Sequence, residues 1–339
     1  MKKSMKIDFV VAWVDSEDSD WKKEYAKYRH EEHKEDKARF RNWNFFRYWF
    51  RSVEKYAPWV NNVYLVTNGK NPNWINATHP KLKLIKHTDF IPDKYLPTFN
   101  ANTIELNVHR IPELSEYFVY FNDDFYLNAP VTPDYYFRNG LPCDCNQEQI
   151  FSSPIYSPQN KYHILLIQYC DIAVLNYHFN RKEVIKQSKQ RWLGRHLGWK
   201  GMLISVLQNG KNTFEGFKWR HNEQPFLKSI YEEAWNKEYD MLSASCTQFR
   251  QDTNLNDYFM RYWQFATNKF HPVKLDSCCF YPMIEQNYDR IFSALDNPRI
   301  KSLCLNDTPL CSDEFYDKIH VELQRKFAEK FPTKSSFEL

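Results

Sequence analysis

The chain has 339 residues, 42% apolar and 17% aromatic, enough for one large or two modest domains around a sizeable core. A net charge of +4 and a pI near 8.4 fall short of the strongly basic signature of a nucleic-acid binder. No apolar run reaches the length of a membrane span and Ile7–Val14 lacks a cleavage site, so the expected location is the cytoplasm. Eight cysteines without a Cys-x-x-Cys pair remove the zinc-ribbon and thioredoxin patterns and predict reduced thiols.

Residues 7–14 (Ile-Asp-Phe-Val-Val-Ala-Trp-Val) read as a buried strand ending at Asp15. A charged stretch from about Asp18 to Arg39 reads as helix. Trp43, Phe46, Trp49, Phe50 and Val53 then mark one face of a helix over 43–56, stopped by Pro58. Arg47 and Arg51 share another face; with Arg39 and Arg41 they are candidates for holding a phosphate, the bland reading being a solvated charged stripe. Val63–Val66 and Leu82–Ile85 are the next strands, followed by Asn68 and Asp89 respectively. Ile104, Val108 and Ile111 form a helix closed by Pro112, and Tyr117–Phe121 is a strand stopped by Asn122, Asp123 and Asp124.

This order, with connections too long for hairpins, predicts an α/β fold with a mostly parallel sheet covered by helices. Ligands bind beyond the carboxyl ends of such strands, so Asp15, Asn68, Asp89 and Asn122–Asp124 are expected to line one crevice. Two adjacent carboxylates at a strand end suit a hard divalent cation such as Mg²⁺; the competing reading is an Asx turn that closes the strand. With seven glycines and no Gly-x-Gly-x-x-Gly or Walker loop, phosphate binding falls to metal and arginine. Arg41, just ahead of the 43–56 helix, is one candidate.

From about Gln149 the character changes. Residues 181–211 are basic, with Trp192 and Trp199 interleaved, and read either as a solvated helical surface or as a docking face for an anionic polymer or membrane. Trp219–Pro225 is expected to introduce a helix, which would place His221 at a helix N-terminus, where the dipole disfavours imidazolium and leaves a neutral base. A satisfied structural histidine is the alternative. Arg250 precedes a helix opening near Asn254. Leu303–Asp307 repeats the earlier theme, a short strand ending in Asn306 and Asp307, and the two Asn-Asp pairs suggest a shared site. Ser312 is expected to cap a helix to about Lys330, and 331–339 reads as a frayed tail.

These stretches resemble, in order, the four blocks of the Stealth family, sugar-1-phosphate transferases of microbial capsule synthesis related to the lysosomal-enzyme GlcNAc-phosphotransferase. The first is Ile7–Asp15. The second runs from Arg39-Phe-Arg41 through Arg51–Trp59, Leu96–Asn100 and Ile104-Glu105 to Phe121–Asp124. His221, Pro225 and Arg250 carry the third, and Cys304–Asp307 the fourth. Where many members have Arg-Asp-x-Gly-Glu-Leu, this chain has Arg41-Asn-Trp-Asn-Phe-Phe46, without the carboxylates.

The resemblance implies a nucleotide-sugar-binding core, Rossmann-like and GT-A-like, over 1–148. It implies a helical acceptor and catalytic segment over 149–300, and a strand returning to the core plus a C-terminal helix over 301–339. The implied reaction moves a hexose-1-phosphate from a UDP-sugar, such as UDP-GlcNAc, to a sugar hydroxyl of a capsular or cell-surface polysaccharide, releasing UMP. Asp124 and Asp307 are then expected to hold Mg²⁺ or Mn²⁺, with Asp123, Asn122 and Asn306 close by. His221 would deprotonate the acceptor, and Arg250, with Arg41 as second candidate, would offset charge on the transferred phosphate. Asp15, Thr98 and Asn100 would position the nucleotide sugar. Peripheral contact with a membrane capsule-assembly complex is expected from 181–211, and no nucleic-acid partner. Two rival readings are a metal-dependent glycosyltransferase that releases UDP and a non-catalytic carbohydrate-binding protein.

Overall fold

A computed structural model describes residues 5–29, 41, 43–150 and 163–339. In chain order β1 (Ile7–Ala12) leads to α1 (Ser19–Tyr28), α2 (Phe46–Tyr56), β2 (Val63–Thr67), β3 (Leu82–Lys86), α3 (Ala101–Asn107) and β4 (Tyr117–Phe121). Next come β5 (Phe125–Leu127), α4 (Pro133–Tyr136), β6 (Phe137–Arg138) and β7 (Leu141–Asp144). The second half begins with α5 (His163–His178), α6 (Arg181–Gln187), α7 (Lys189–Trp192) and α8 (Gly198–Leu207). It continues through β8 (Gln224–Leu227), α9 (Lys228–Lys237), α10 (Tyr239–Ser245), α11 (Asp257–Ala266) and β9 (His271–Pro272). The last elements are β10 (Cys278–Pro282), α12 (Tyr288–Asp296), β11 (Ser302–Asn306) and α13 (Asp313–Lys330).

The central sheet has the order β3-β2-β1-β4-β8. β1 to β4 are mutually parallel, with Phe9 opposite both Val63 and Val119. The apolar runs of β1, β2 and β4 are buried because helices cover the sheet, as for parallel strands generally, while the edge strand β3 alternates with lysines and is mostly half-buried. α2 supplies Trp49, Phe50 and Val53 to this core, and Trp49 meets Phe121 edge-on at 5.4 Å. A second sheet, β10-β11-β5, starts where the first stops. The chain leaves the central sheet at Phe121, turns through Asn122–Asp124, and enters the second at Phe125, which lies opposite Cys304 of β11. The Asn-Asp-Asp turn is therefore the seam between two sheets.

Five expectations are corrected. Trp219–Pro225 opens no helix: Gln224–Leu227 is an edge strand antiparallel to β4, and the helix begins at Lys228. Pro225, which has no N–H to give, is tolerated because β8 is an edge. The 331–339 tail is anchored rather than frayed. Both Glu338 carboxylate oxygens accept from Arg51 at 2.7 Å, Phe337 packs on Phe50, and the Leu339 N–H donates to the Trp74 carbonyl. Arg51 is thus a half-buried tie to the tail and not part of a solvated stripe. Within 181–211, Arg181 is buried against Glu148 at 2.6 Å and Trp192 is buried with its N–H on Asn268. The expected 18–39 helix ends at Tyr28, and Arg39 lies outside the described residues. Among the described residues no helix is long and apolar enough to cross a membrane.

Candidate active site

Asp124 is fixed by the second sheet. Its carbonyl accepts from the Leu305 N–H at 3.0 Å, which registers the turn against β11. Successive side chains of a strand alternate in direction, so Cys304 and Asn306 share a face. Both reach the same carboxylate oxygen: Asn306 Nδ2 donates to Asp124 Oδ2 at 3.1 Å, and Cys304 Sγ donates to it at 3.4 Å. The other oxygen, Oδ1, is buried with no hydrogen-bond partner among the described residues. Burial, with the Asp124 charge behind it, pushes the Cys304 thiol well above its ordinary value, so the thiol donates and does not act as a thiolate. Asp124, Cys304 and His221 bring one ligand atom each to within 4.8 Å of one another.

His221 reaches this point from the loop before β8. Its ring stacks on Trp219 (5.4 Å between centroids, 10° between planes) and meets the edges of Phe125 at 5.1 Å and Phe280 at 5.4 Å. Burial among these rings lowers its pKa, with Asp124 pulling upward and Arg250 downward. The rings that cover this half-buried imidazole disfavour its charged form. The helix dipole invoked from sequence plays no part.

Arg250 sits on a loop pinned from α3. Asn100 caps that helix through the Asn102 N–H and donates its amide to Thr247 Oγ1 at 3.1 Å and Asn254 Oδ1 at 3.2 Å. Thr98 and Thr103 both donate to the Thr247 carbonyl, at 3.3 and 2.8 Å. Thr98 and Asn100 are buried and act here as supports of the Arg250 loop. The Arg250 charge acts on His221, Asp257 and Glu105. Glu105 is pushed up to about 8 by burial and then by Asp257, with Arg250 opposing. Sequence reasoning met Glu105 only inside a family block and did not place it at the site. A carboxylate in a helix of apolar spacing was the available signal. Cys304 was missed likewise, although strand alternation two residues before Asn306 marks it.

The remaining candidates are spread around this group. Asp123 is reached by solvent at the cleft, yet the surrounding protein and the Asp124 charge push it up to about 7. Asn122 accepts from the Phe125 N–H through its carbonyl and closes the turn. Asp307 does not join the Asp124 group. It follows Asn306 on the opposite side of the alternation, where its carboxylate accepts from Trp43 Nε1 at 3.1 Å, lies 3.5 Å from Arg41 Nε and accepts from the Thr308 N–H. Arg41 also lies over the Tyr316 ring and 3.6 Å from Asp313. Asp15 and Asp89 stand at the carboxyl edge of the sheet but are used in local turns, on the Glu17 and Lys86 N–H groups.

Comparison with known proteins identifies the second of the sequence blocks. The family profile described as "Stealth protein CR2, conserved region 2" matches residues 39–143, the span holding Asn100, Glu105 and Asn122–Asp124. The chain is 37% identical over 338 residues to a capsular polysaccharide phosphotransferase, WcwK, of Streptococcus pneumoniae, covering 98% of each. It is 35% identical to the receptor polysaccharide phosphotransferase WefC of Streptococcus gordonii, over 98% of this chain and 99% of that one. The exopolysaccharide phosphotransferase cps2G of Lactiplantibacillus plantarum is also 35% identical, with 98% and 96% covered. A solved galactosyltransferase, LgtC, aligns over 97% of this chain and 98% of its own at 10% identity and a TM-score of 0.42, too distant to support an inference. End-to-end similarity at this level, with the matching conserved region, makes the chain a member of the Stealth family of phosphotransferases.

Proposed function

We propose that this transferase moves a hexose-1-phosphate from a UDP-sugar to a sugar hydroxyl of a capsular or exopolysaccharide acceptor, forming a phosphodiester and releasing UMP. The observation that supports it best is the meeting of the His221 imidazole, an Asp124 oxygen without a hydrogen-bond partner among the described residues and the Arg250 charge at one seam. His221 accepts the acceptor hydroxyl proton, the hydroxyl oxygen bonds to the β-phosphorus, and the bond from that phosphorus to UMP breaks. Arg250 offsets the charge that grows on the phosphoryl oxygens. Asp124 fits a hard divalent cation: one oxygen is held by Asn306 and Cys304, while the other is buried with no hydrogen-bond partner among the described residues. Such an ion, Mg²⁺ or Mn²⁺, supplies charge neutralisation at the donor diphosphate. Asp307, engaged with Arg41 and Trp43, holds Arg41 toward the same crevice, and Asp123 and Asn122 line it. Asp15, at the end of β1, is the proposed contact for the donor nucleoside.

The assignment is tested with Asp124→Asn and His221→Gln. Each is expected to keep the wild-type circular dichroism and melting temperature while turnover falls at least ~10²-fold, the usual contribution of a general base. A folded His221→Gln enzyme with near-normal turnover contradicts the base assignment.

A further inference from the structure

Helix α8, Gly-Trp-Lys-Gly-Met-Leu-Ile-Ser-Val-Leu, carries its polarity reversed. Surface helices ordinarily turn apolar residues inward and charges outward. Here the inner face is small and polar. A Cβ at Gly201 would lie 3.0 Å from Leu197 Cβ and 3.1 Å from Gln147 Cγ, so only glycine fits comfortably against that wall. Ser205 Oγ lies 3.4 Å from Glu148 Oε2, and the Gln208 carbonyl accepts from Arg181 at 2.9 Å. The helix is thus seated on the buried Arg181–Glu148 pair, which fixes its orientation.

The outer face presents Trp199 (73% exposed), Leu203 (52%), Val206 (60%) and Leu207 (65%). Their spacing of i, i+4, i+7 and i+8 places them on one side of the helix. In the chain on either side Lys182, Lys186, Lys189, Arg195, Lys200 and Lys211 are exposed, Lys186 and Lys211 lying beside Glu183 and Glu215, and Glu183 is the sole acidic residue between 181 and 211. Lys200 Nζ lies 5.4 Å from the Trp199 ring. An outward apolar face with an aromatic at its start and a basic surround is the composition of a helix that lies in a membrane interface.

We infer that α8 docks on an anionic lipid bilayer, its four apolar side chains entering the headgroup–acyl boundary and its basic neighbours facing lipid phosphates. Charge separates this occupant from the others. A two-fold contact with a second copy would set the basic patch against itself. A soluble polyanion would meet the charges but leave Trp199, Leu203, Val206 and Leu207 in water. The surface lies on elements other than those holding Asp124 and His221, so it stands apart from the reaction assignment.

The test is co-sedimentation of the full chain with phosphatidylcholine vesicles, with and without phosphatidylglycerol. Binding is expected to need phosphatidylglycerol and to weaken with added salt. The double variant Leu203→Ser/Leu207→Ser, at exposed positions, is expected to bind roughly tenfold or more weakly with an unchanged melting temperature. Lys189→Glu/Arg195→Glu/Lys200→Glu is expected to remove the preference for anionic lipid. Asp124→Asn is expected to bind like wild type, which keeps this result separate from any failure of the reaction assignment. No binding to either vesicle, or binding unaffected by both variants, overturns the proposal. So does self-association in sedimentation velocity that the double variant abolishes, because that assigns the face to a second copy.

Discussion

His221 is held toward its neutral form by Phe125 of β5, Phe280 of β10 and Trp219 of its own loop, and not by the helix N-terminus expected from sequence. His109 offers a cleaner reading of the same physics away from the crevice. It is buried between the Tyr231 and Trp235 rings, and burial, then Arg110 and Lys228, lowers it to about 3. A histidine held below its unfolded value binds fewer protons folded than unfolded between those two values. Its contribution is therefore complete above about pH 6.5 and is lost as pH falls toward 3. We predict that wild type loses about 2 kcal/mol more stability than His109→Phe on going from neutral pH to about pH 5. Urea titrations of both proteins check this, and parallel losses would contradict it. Subtracting the variant also removes the opposite trend of Glu105, whose raised carboxyl favours the folded state at lower pH.

The C-terminal tail shows at the level of elements how distant partners override local reading. Residues 331–339 carry no periodic pattern, yet Glu338 is buried on Arg51 of α2, 287 positions away, and the Ser335 N–H donates to the same carboxylate. Removing one partner of a buried pair leaves an uncompensated charge. Glu338→Ala is expected to cost about 3 kcal/mol, read from the urea midpoint at constant slope. The paired change Arg51→Met/Glu338→Leu is expected to recover most of the loss. If Glu338→Ala were silent, the tail would not be part of the folded unit. β8 follows the same principle. Pro225 and its neighbours look like a helix approach, but pairing with β4 takes Gln224–Leu227 into the sheet and leaves His221 in the loop before it.

For the whole molecule, the strands and helices with long apolar runs were legible: β1, α2, β2, β4, β11 and α13 fall within a few residues of their expected ranges. The mostly parallel sheet followed from their order, and so did the gathering of strand-end polar residues on one edge. The seam between two sheets was not legible, because a two-versus-one sheet arrangement depends on β5, β10 and β11 pairing across the chain. For the same reason the Asn306 contact to Asp124 and the place of Asp307 beside Arg41 were not legible. One residue of strand alternation decides that difference.

The central claim is bond cleavage at phosphorus, with retention of the sugar–oxygen bond. Its most direct test is product identity: the purified chain incubated with a UDP-sugar, Mg²⁺ and a capsular oligosaccharide acceptor, with the nucleotide product resolved by chromatography. UMP is expected in step with a new phosphodiester in the acceptor, both lost on chelation. UDP with a new glycosidic bond would contradict it and make the chain a glycosyltransferase.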